Sequence, residues 1–431
     1  MPEMIATAGL FEQYRKKLLG PPWYHQRFDG CPLFIGYIGE AQARTEERKR
    51  DNQFELQLGF YENGRTDWYM DQADIDRVTQ NFVKLCNKHH AIGHQVLADW
   101  RNDELAFFDQ CIELRNTDLA RLDDRQLKIV FEEFSENYLR RLTSSSLIDG
   151  FALGSDELVA QQVRDKLAAH NLSENFTQYF SKLTAPIHQS FINDVEAAVL
   201  EVAQAVSKKP ALKQAFENQK TEQLLETLLR HPHEHEMIKQ LATRFFWSKN
   251  NYIHDHVLDE QHFITEINEI LREKTDIAQK IQKIRNTPIE NKRTKEKLFK
   301  ELGIDGELAA LIHLNEDFTF WQDERKKATY WGTHYVSVLL AEIGKRKGYG
   351  VEELKYFAPC EVMHAFEEKD WKPELRERQI GCVFLWDTNH FEVLTGEKYR
   401  EFRKEFQGTT DYTHLNEFKG LTANMGRVTG T

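Results

Sequence analysis

The sequence predicts a mainly α-helical, multi-helix fold with a small N-terminal β hairpin or sheet and a C-terminal β hairpin. Three observations lead there. Chain breakers are sparse, with 22 Gly and 10 Pro in 431 residues, while the straight-chain helix formers Glu, Lys, Leu and Gln abound. Apolar residues recur three and four apart over most of the chain between Asp71 and Lys347. Strict alternation, the strand period, is confined to the two ends.

Taken in order, Phe54, Leu56, Leu58 and Phe60 alternate with Glu55, Gln57, Gly59 and Tyr61. Asn63-Gly64 then supplies the two positive-φ positions of a type I′ turn, and Arg65 to Met70 returns as a second strand. Pro32 to Tyr37 is read as a third strand. From Asp71 the period changes: Ile75, Val78, Phe82 and Leu85 fall on one helical face. Asp123 or Asp124 caps the next helix, whose apolar stripe is Leu127, Val130, Phe131, Phe134 and Tyr138. Gly150 and Gly154 are read as a break. Helical pattern resumes at Glu157 and runs to about Lys347, with Pro186, Pro210, Pro232 and Pro288 as expected boundaries. After Pro373, Gly381 to Trp386 and Phe391 to Leu394 read as strands joined by an Asp387-Thr388-Asn389 turn. Thr395 caps a short charged helix, and Gly408 to Thr413 is a polar loop.

Composition excludes several classes. At 40% hydrophobic and 12% aromatic residues the chain has enough apolar side chains for a core, which rules out a disordered tail. A net charge of −12 argues against a dedicated nucleic-acid binder. No apolar run of about eighteen residues is present, so no membrane helix is expected, and Met1 to Leu10 does not read as a signal peptide. The five cysteines are scattered, with no C-x-x-C pair. That spacing predicts neither a disulfide framework nor a structural zinc site, and it fits a reducing cytoplasm.

Three stretches carry chemistry-bearing side chains. His231, His233, His235, His254, His256 and His262 are mostly two apart, which points alternate imidazoles away from each other on a helix; no metal site is expected of them. Arg272 to Lys300 holds ten Lys or Arg against four Asp or Glu. With Phe299 as its one aromatic it reads as a solvated helical hairpin turning near Asn286-Thr287-Pro288, not as a nucleic-acid surface. The third is the stripe Phe318, Trp321, Arg325, Ala328, Gly332, Tyr335, Leu339 and Ile343. Arg325 is its anomaly. A guanidinium keeps its charge, so on an apolar stripe it must meet a carboxylate of a neighbouring helix or an anionic ligand. Walker, dinucleotide-binding, nucleophile-elbow and HExxH patterns are all missing.

Several stretches resemble the phosphoenolpyruvate-utilising enzymes, the family of phosphoenolpyruvate synthase, pyruvate phosphate dikinase and rifampin phosphotransferase. They are Leu122-Asp123-Asp124-Arg125-Gln126-Leu127, Gln322-Asp323-Glu324-Arg325-Lys326-Lys327, and Val351 to Glu361. The last is the closing Gly420-Leu421-Thr422-Ala423-Asn424-Met425-Gly426-Arg427-Val428-Thr429-Gly430-Thr431. The resemblance covers most of residues 100–431 and rests chiefly on the Gln322 to Lys327 stretch and the closing motif. In the family, an ATP-grasp domain phosphorylates a histidine, a swivelling domain carries it, and a third region holds the acceptor. The chain is similar to the helical middle region of enzymes like rifampin phosphotransferase.

The resemblance therefore implies a mixed α/β region over 1–100, a helical acceptor-binding and linker domain over 101–372, and a β-hairpin with a helix over 373–418. Residues 419–431 would begin the mobile phosphohistidine domain. It implies ATP and Mg²⁺ for the complete enzyme, an ATP-grasp domain and a phosphohistidine domain as partners in cis or trans, and a small-molecule acceptor. None of the 17 histidines sits in the family's carrier motif, so the carrier histidine is not assigned and the chain is expected to be inactive alone. The aromatic-rich stretches around Phe245-Phe246-Trp247 and Phe318 to Trp331 are the expected pocket walls. Tyr252, Arg325, Trp331 and His334 are the candidate substrate-binding residues. Trp331 and His334 lie on a different helical face from Arg325, so the four cannot all serve one pocket. The rival readings are a non-catalytic helical scaffold for a partner protein and an independent helical metal- or ligand-binding protein.

Overall fold

A computed structural model of the chain describes residues 4–20, 22–44, 54–273 and 276–409. Of the expected polar loop Gly408 to Thr413, Gly408 and Thr409 instead close the Gly396–Thr409 helix; the rest of it, the 419–431 segment and the closing Gly420 to Thr431 motif lie outside the described residues. The fold is mainly α with one small sheet. Both ends of the chain build that sheet. Its strands are β1 (Ile5–Ala6), β2 (Trp23–Asp29), β3 (Leu56–Glu62), β4 (Arg65–Asp71), β5 (Cys382–Asp387) and β6 (His390–Thr395), in the spatial order β1-β6-β5-β3-β4-β2. Only β1 and β6 run parallel. The β3–β4 turn has Asn63 at φ 53° and Gly64 at φ 75°, both left-handed as a type I′ turn requires.

The C-terminal hairpin is not a separate unit. Leu58 of β3 faces Leu385 of β5, and Gly59 faces Phe384, so the sheet exists only once the chain ends meet. Apolar side chains cover both of its faces. Leu58, Phe60, Val383 and Leu385 pack on Phe402 and Phe406 of the Gly396–Thr409 helix. Trp68, Met70, Phe384 and Trp386 pack on the other side with Ile35 and Ile75.

Three sequence expectations are corrected. Pro32 to Tyr37 is not a strand but the start of a nearly fully buried helix, Pro32–Ala43, with the proline in its first turn; the third strand of the N-terminal group is β2. A short apolar run buried on all sides has no periodicity to separate helix from strand, and proline at a first helical position favours the helix. Gly150 does not break the chain: it lies inside the Leu147–Gly154 helix and lets it approach the Gln72–Lys88 helix so closely that a Cβ on Gly150 would sit 2.5 Å from Val78 Cγ1. Gly154 does end that helix, with Ser155 between it and the next, Asp156–Ala169. Pro288 is no boundary either: it is inside one continuous helix, Ile277–Leu302, so the expected hairpin is absent there. Pro210 and Pro232 do open helices.

Local signals elsewhere match the structure. Asp71 caps the Gln72–Lys88 helix by accepting from Ala73 N–H at 2.9 Å. Asp123 and Gln126 form a capping box at the start of Asp124–Ser144, which buries Leu127, Phe131, Phe134 and Tyr138. The longest element is the 42-residue helix Gly306–Lys347. Its Phe318 and Trp321 belong to a core with Phe82, Trp100 and Phe151; its Tyr335, Leu339 and Ile343 belong to a second with Phe107, Phe134 and Phe246. Arg325 falls between the two. Among the described residues no helix is long and apolar enough to cross a membrane.

Candidate functional site

The site is built around the middle of the long helix. Arg325 meets Asp149 of the Leu147–Gly154 helix in a two-pronged pair, with Nη1 donating to Oδ2 at 2.9 Å and Nη2 to Oδ1 at 2.5 Å. Burial alone would ease the proton off Arg325, but the Asp149 charge and hydrogen bonds outweigh it and hold the guanidinium charged. The Arg325 carbonyl accepts from Arg141 Nη1 at 3.1 Å, and Arg141 Nη2 donates to Thr329 Oγ1 at 3.1 Å. Arg141 is fully buried and lies against the rings of Phe107 and Tyr138, 5.3 and 5.2 Å from their centroids. Two arginines, one on each helix, thus lock the long helix to its neighbours at one level.

Two adjoining cavities open beside this pair, of about 470 Å³ and about 410 Å³, and both touch Gln26, Ile38, Tyr252, Gln322 and Arg325. The larger faces the helices and includes His188, Phe320, Asp323 and Lys326. The smaller faces the sheet and includes Phe28, Gln42, Trp68, Met70 and Asp149. Asp323 accepts from Phe191 N–H at 2.6 Å, at the start of the Phe191–Ser207 helix; burial raises its carboxyl pKa, an effect this bond opposes. Burial lowers the His188 pKa, and the imidazole lies 4.7 Å from the Phe320 ring. Tyr252 is fixed from behind: its carbonyl accepts from Cys31 N–H at 3.1 Å and its ring lies 5.6 Å from Phe28. Burial raises its phenol pKa.

Of the four residues singled out from sequence, the structure brings Arg325 and Tyr252 together at both cavities. It separates Trp331 and His334 from them, and neither lines either cavity. Trp331 packs edge-on to Phe108 and Phe246, at 5.0 and 5.3 Å, with the Arg115 guanidinium 5.8 Å from its ring. His334 Nδ1 lies 3.1 Å from both carboxylate oxygens of Asp255. The Phe245-Phe246-Trp247 stretch, an expected pocket wall, is core instead. Its side chains are drawn into the packing of the surrounding helices. Sequence reasoning missed Asp149, Gln42 and Gln26. Asp149 was hidden in a segment read as a break, and the glutamines carry no local signal.

The histidines are spread among separate contacts. His235 Nε2 is 2.8 Å from Glu260, while His262 Nε2 is 3.2 Å from Lys249 Nζ. Among the described residues no three His, Cys, Asp or Glu side chains converge on a metal position. What the cavities offer is recognition: the Arg325–Asp149 pair, Lys326 and the Asp323 and Glu316 carboxylates, with carboxamides and aromatic faces beside them. Comparison with known protein families, with curated proteins and with solved structures finds no match to this chain.

Proposed function

We propose that the chain is the acceptor-binding and linker region of an ATP-dependent phosphotransferase that works through a phosphohistidine carrier. One observation carries this reading. The Gln322 to Lys327 stretch, which bears the family resemblance, supplies Gln322 and Arg325 to both cavities and Asp323 and Lys326 to the larger one. Phosphoryl transfer asks a protein chiefly to position its partners and balance charge. A partly enclosed cavity lined by charges of both signs and by carboxamides suits positioning an acceptor that must gain a phosphoryl group away from bulk water.

The implied reaction is ATP, water and acceptor giving phosphorylated acceptor, AMP and phosphate. ATP and Mg²⁺ belong to the ATP-grasp domain, and the histidine to the carrier domain. This chain's own part is to hold the acceptor and exclude water. The setting is a reducing cytoplasm, supported by five cysteines that are all free thiols, four of them buried.

The test is complementation. Purified chain with ATP and Mg²⁺ should leave the nucleotide intact. Adding an ATP-grasp protein and a phosphohistidine carrier with a panel of small acceptors should release AMP and a phosphorylated acceptor. Nucleotide turnover by the chain alone, or no acceptor-dependent AMP release in the complemented mixture, overturns the proposal. Tight capture of a partner protein without acceptor binding would instead assign a scaffold.

A further inference from the structure

The two edges of the sheet are finished differently. At one, the chain before Leu10 lies along β6: β1 pairs with His390 and Phe391, and the Glu392 carboxylate accepts from Gly9 and Phe11 N–H at 2.9 Å each. The other edge is β2, which pairs only with β4, through seven residues in unbroken register. It carries neither a proline nor a bulge, two common devices that keep an open strand from pairing further. Just beyond the ends of this ladder, Gly30 N–H donates to Gly64 O at 3.0 Å and Gln72 N–H to Pro22 O at 3.3 Å. Even-numbered residues of β2 therefore turn their backbone groups to β4, and odd-numbered ones turn theirs outward. The outward N–H and C=O groups of His25 and Arg27 have no partner among the described residues, and both residues are exposed. A strand position beside this edge is already begun by Tyr252. It bridges to Gly30 in parallel fashion, and its carbonyl accepts from the outward Cys31 N–H at 3.1 Å.

The even-numbered side chains of β2 lie on the face of the sheet that holds the smaller cavity. Gln26 and Phe28 line it, and Gln322 and Arg325 of the long helix form another wall. The lining is of two kinds: Phe28, Ile35, Trp68 and Met70 are apolar, whereas Gln26, Gln322 and the Arg325–Asp149 pair are polar without net charge. We propose that the outer edge of β2 docks an extended, uncharged peptide segment as a seventh strand of the sheet. Its alternate residues hydrogen-bond to the outward groups of His25 and Arg27, and the side chain placed beside Gln26 enters the smaller cavity. A peptide brings both chemistries of the lining: an apolar side chain for one part and amide groups for the carboxamides. A second copy of this chain is the poorer fit, because the cavity of about 410 Å³ between edge and helix suits one strand and not another sheet. The proposal goes beyond the phosphotransferase reading and does not rest on it.

The experiment titrates the full chain with a pentapeptide blocked at both ends, Thr-Val-Phe-Val-Thr, and follows amide hydrogen exchange across β2. Saturating peptide should slow exchange at His25 and Arg27 by at least about tenfold. Two isomers test the backbone pairing. One carries N-methyl groups on both valines, the other on the phenylalanine and the last threonine. In either direction of pairing only alternate amides meet β2, so one isomer should bind like the parent and the other should not bind measurably. Arg27→Pro and Arg27→Ala both lose the contact with Asp67, but only proline removes the outward N–H. The proline variant should bind the parent peptide at least about fivefold more weakly than the alanine variant. Should it not fold, the isomers still decide. No binding, equal binding by both isomers, unprotected His25 and Arg27 amides, or equal affinity of the two variants overturns the proposal. So does a free chain that is already dimeric with those two amides protected, which gives the edge to a second copy. AMP release plays no part in these readouts, so either proposal can fail while the other stands.

Discussion

The two faces of the long helix between Thr319 and Tyr335 use the same kinds of side chain to opposite effect. On one, Arg325 is matched by the in-plane fork of Asp149, and two cavities adjoin the pair. On the other, the Arg115 guanidinium lies 5.5 Å from the Phe246 ring and 5.8 Å from Trp331, and Trp331 and His334 each pack edge-on to Phe246. A guanidinium–carboxylate fork is rigid and holds its two helices at a set separation, leaving room beside it. A guanidinium answered by aromatic faces sits at van der Waals distance, so the rings close in. Which partner an arginine finds decides whether its surroundings become a site or a core.

That contrast breaks most severely at Gly332, where any side chain would run into the Tyr138 ring. Gly332→Leu should force the Asp124–Ser144 helix off the long helix and cost about 3 kcal/mol or more, read as a lower denaturation midpoint. An unchanged midpoint would show that the two helices do not need this close approach. Next comes Arg325→Met. It strands the Asp149 carboxylate, with side-chain exposures of 19% and 16% for the pair, and should destabilise by about 3 kcal/mol. Arg325→Met combined with Asp149→Leu should recover most of that stability but not acceptor binding in the complemented enzyme. Recovery of both would reduce the pair to structure.

Glu104 sharpens the comparison through pH. Its carboxyl is raised to about 7 by burial first and by Glu324 second, against the pull of Arg141, Lys327 and Arg101. The folded protein then keeps a proton there that the unfolded chain gives up near pH 4. Stability from this group is present below about pH 4 and declines as pH rises to about 7. Glu104→Gln should therefore gain on wild type between pH 5 and pH 8, by on the order of 2 kcal/mol. Parallel pH profiles for the two proteins would rule this out. The smallest effect is expected at Trp331→Phe. The indole Nε1 is buried with no hydrogen-bond partner among the described residues, so stability should change by less than about 1 kcal/mol. Ligand affinity at the cavities should not move, because Trp331 faces away from them; a shift there would connect the two faces.

Read alone, the sequence specifies local structure wherever one physical signal dominates. Asn63-Gly64 demands left-handed backbone, Asp71 and Asp123 offer oxygens to unpaired amides, and the Phe318 to Ile343 stripe has a helical period that its burial follows. It fails where environments compete. Pro32 to Tyr37 is apolar on every side and carries no period, and Gly150 looks like a breaker until a second helix is pressed against it.

The candidate site divides in the same way. Arg325 could be singled out because a permanent charge on an apolar stripe conflicts with its neighbours in sequence. Asp149 and Gln42 could not, because a carboxylate and an amide are ordinary in isolation and become a relay only when three helices converge. The union of the two chain ends in one sheet is likewise a tertiary fact: β3 and β5 are over 300 residues apart, and no local signal spans that distance. Short-range propensities and periods are written in neighbouring residues. Partners for charges, sheet edges and cavities are settled only by what the folded chain brings into contact.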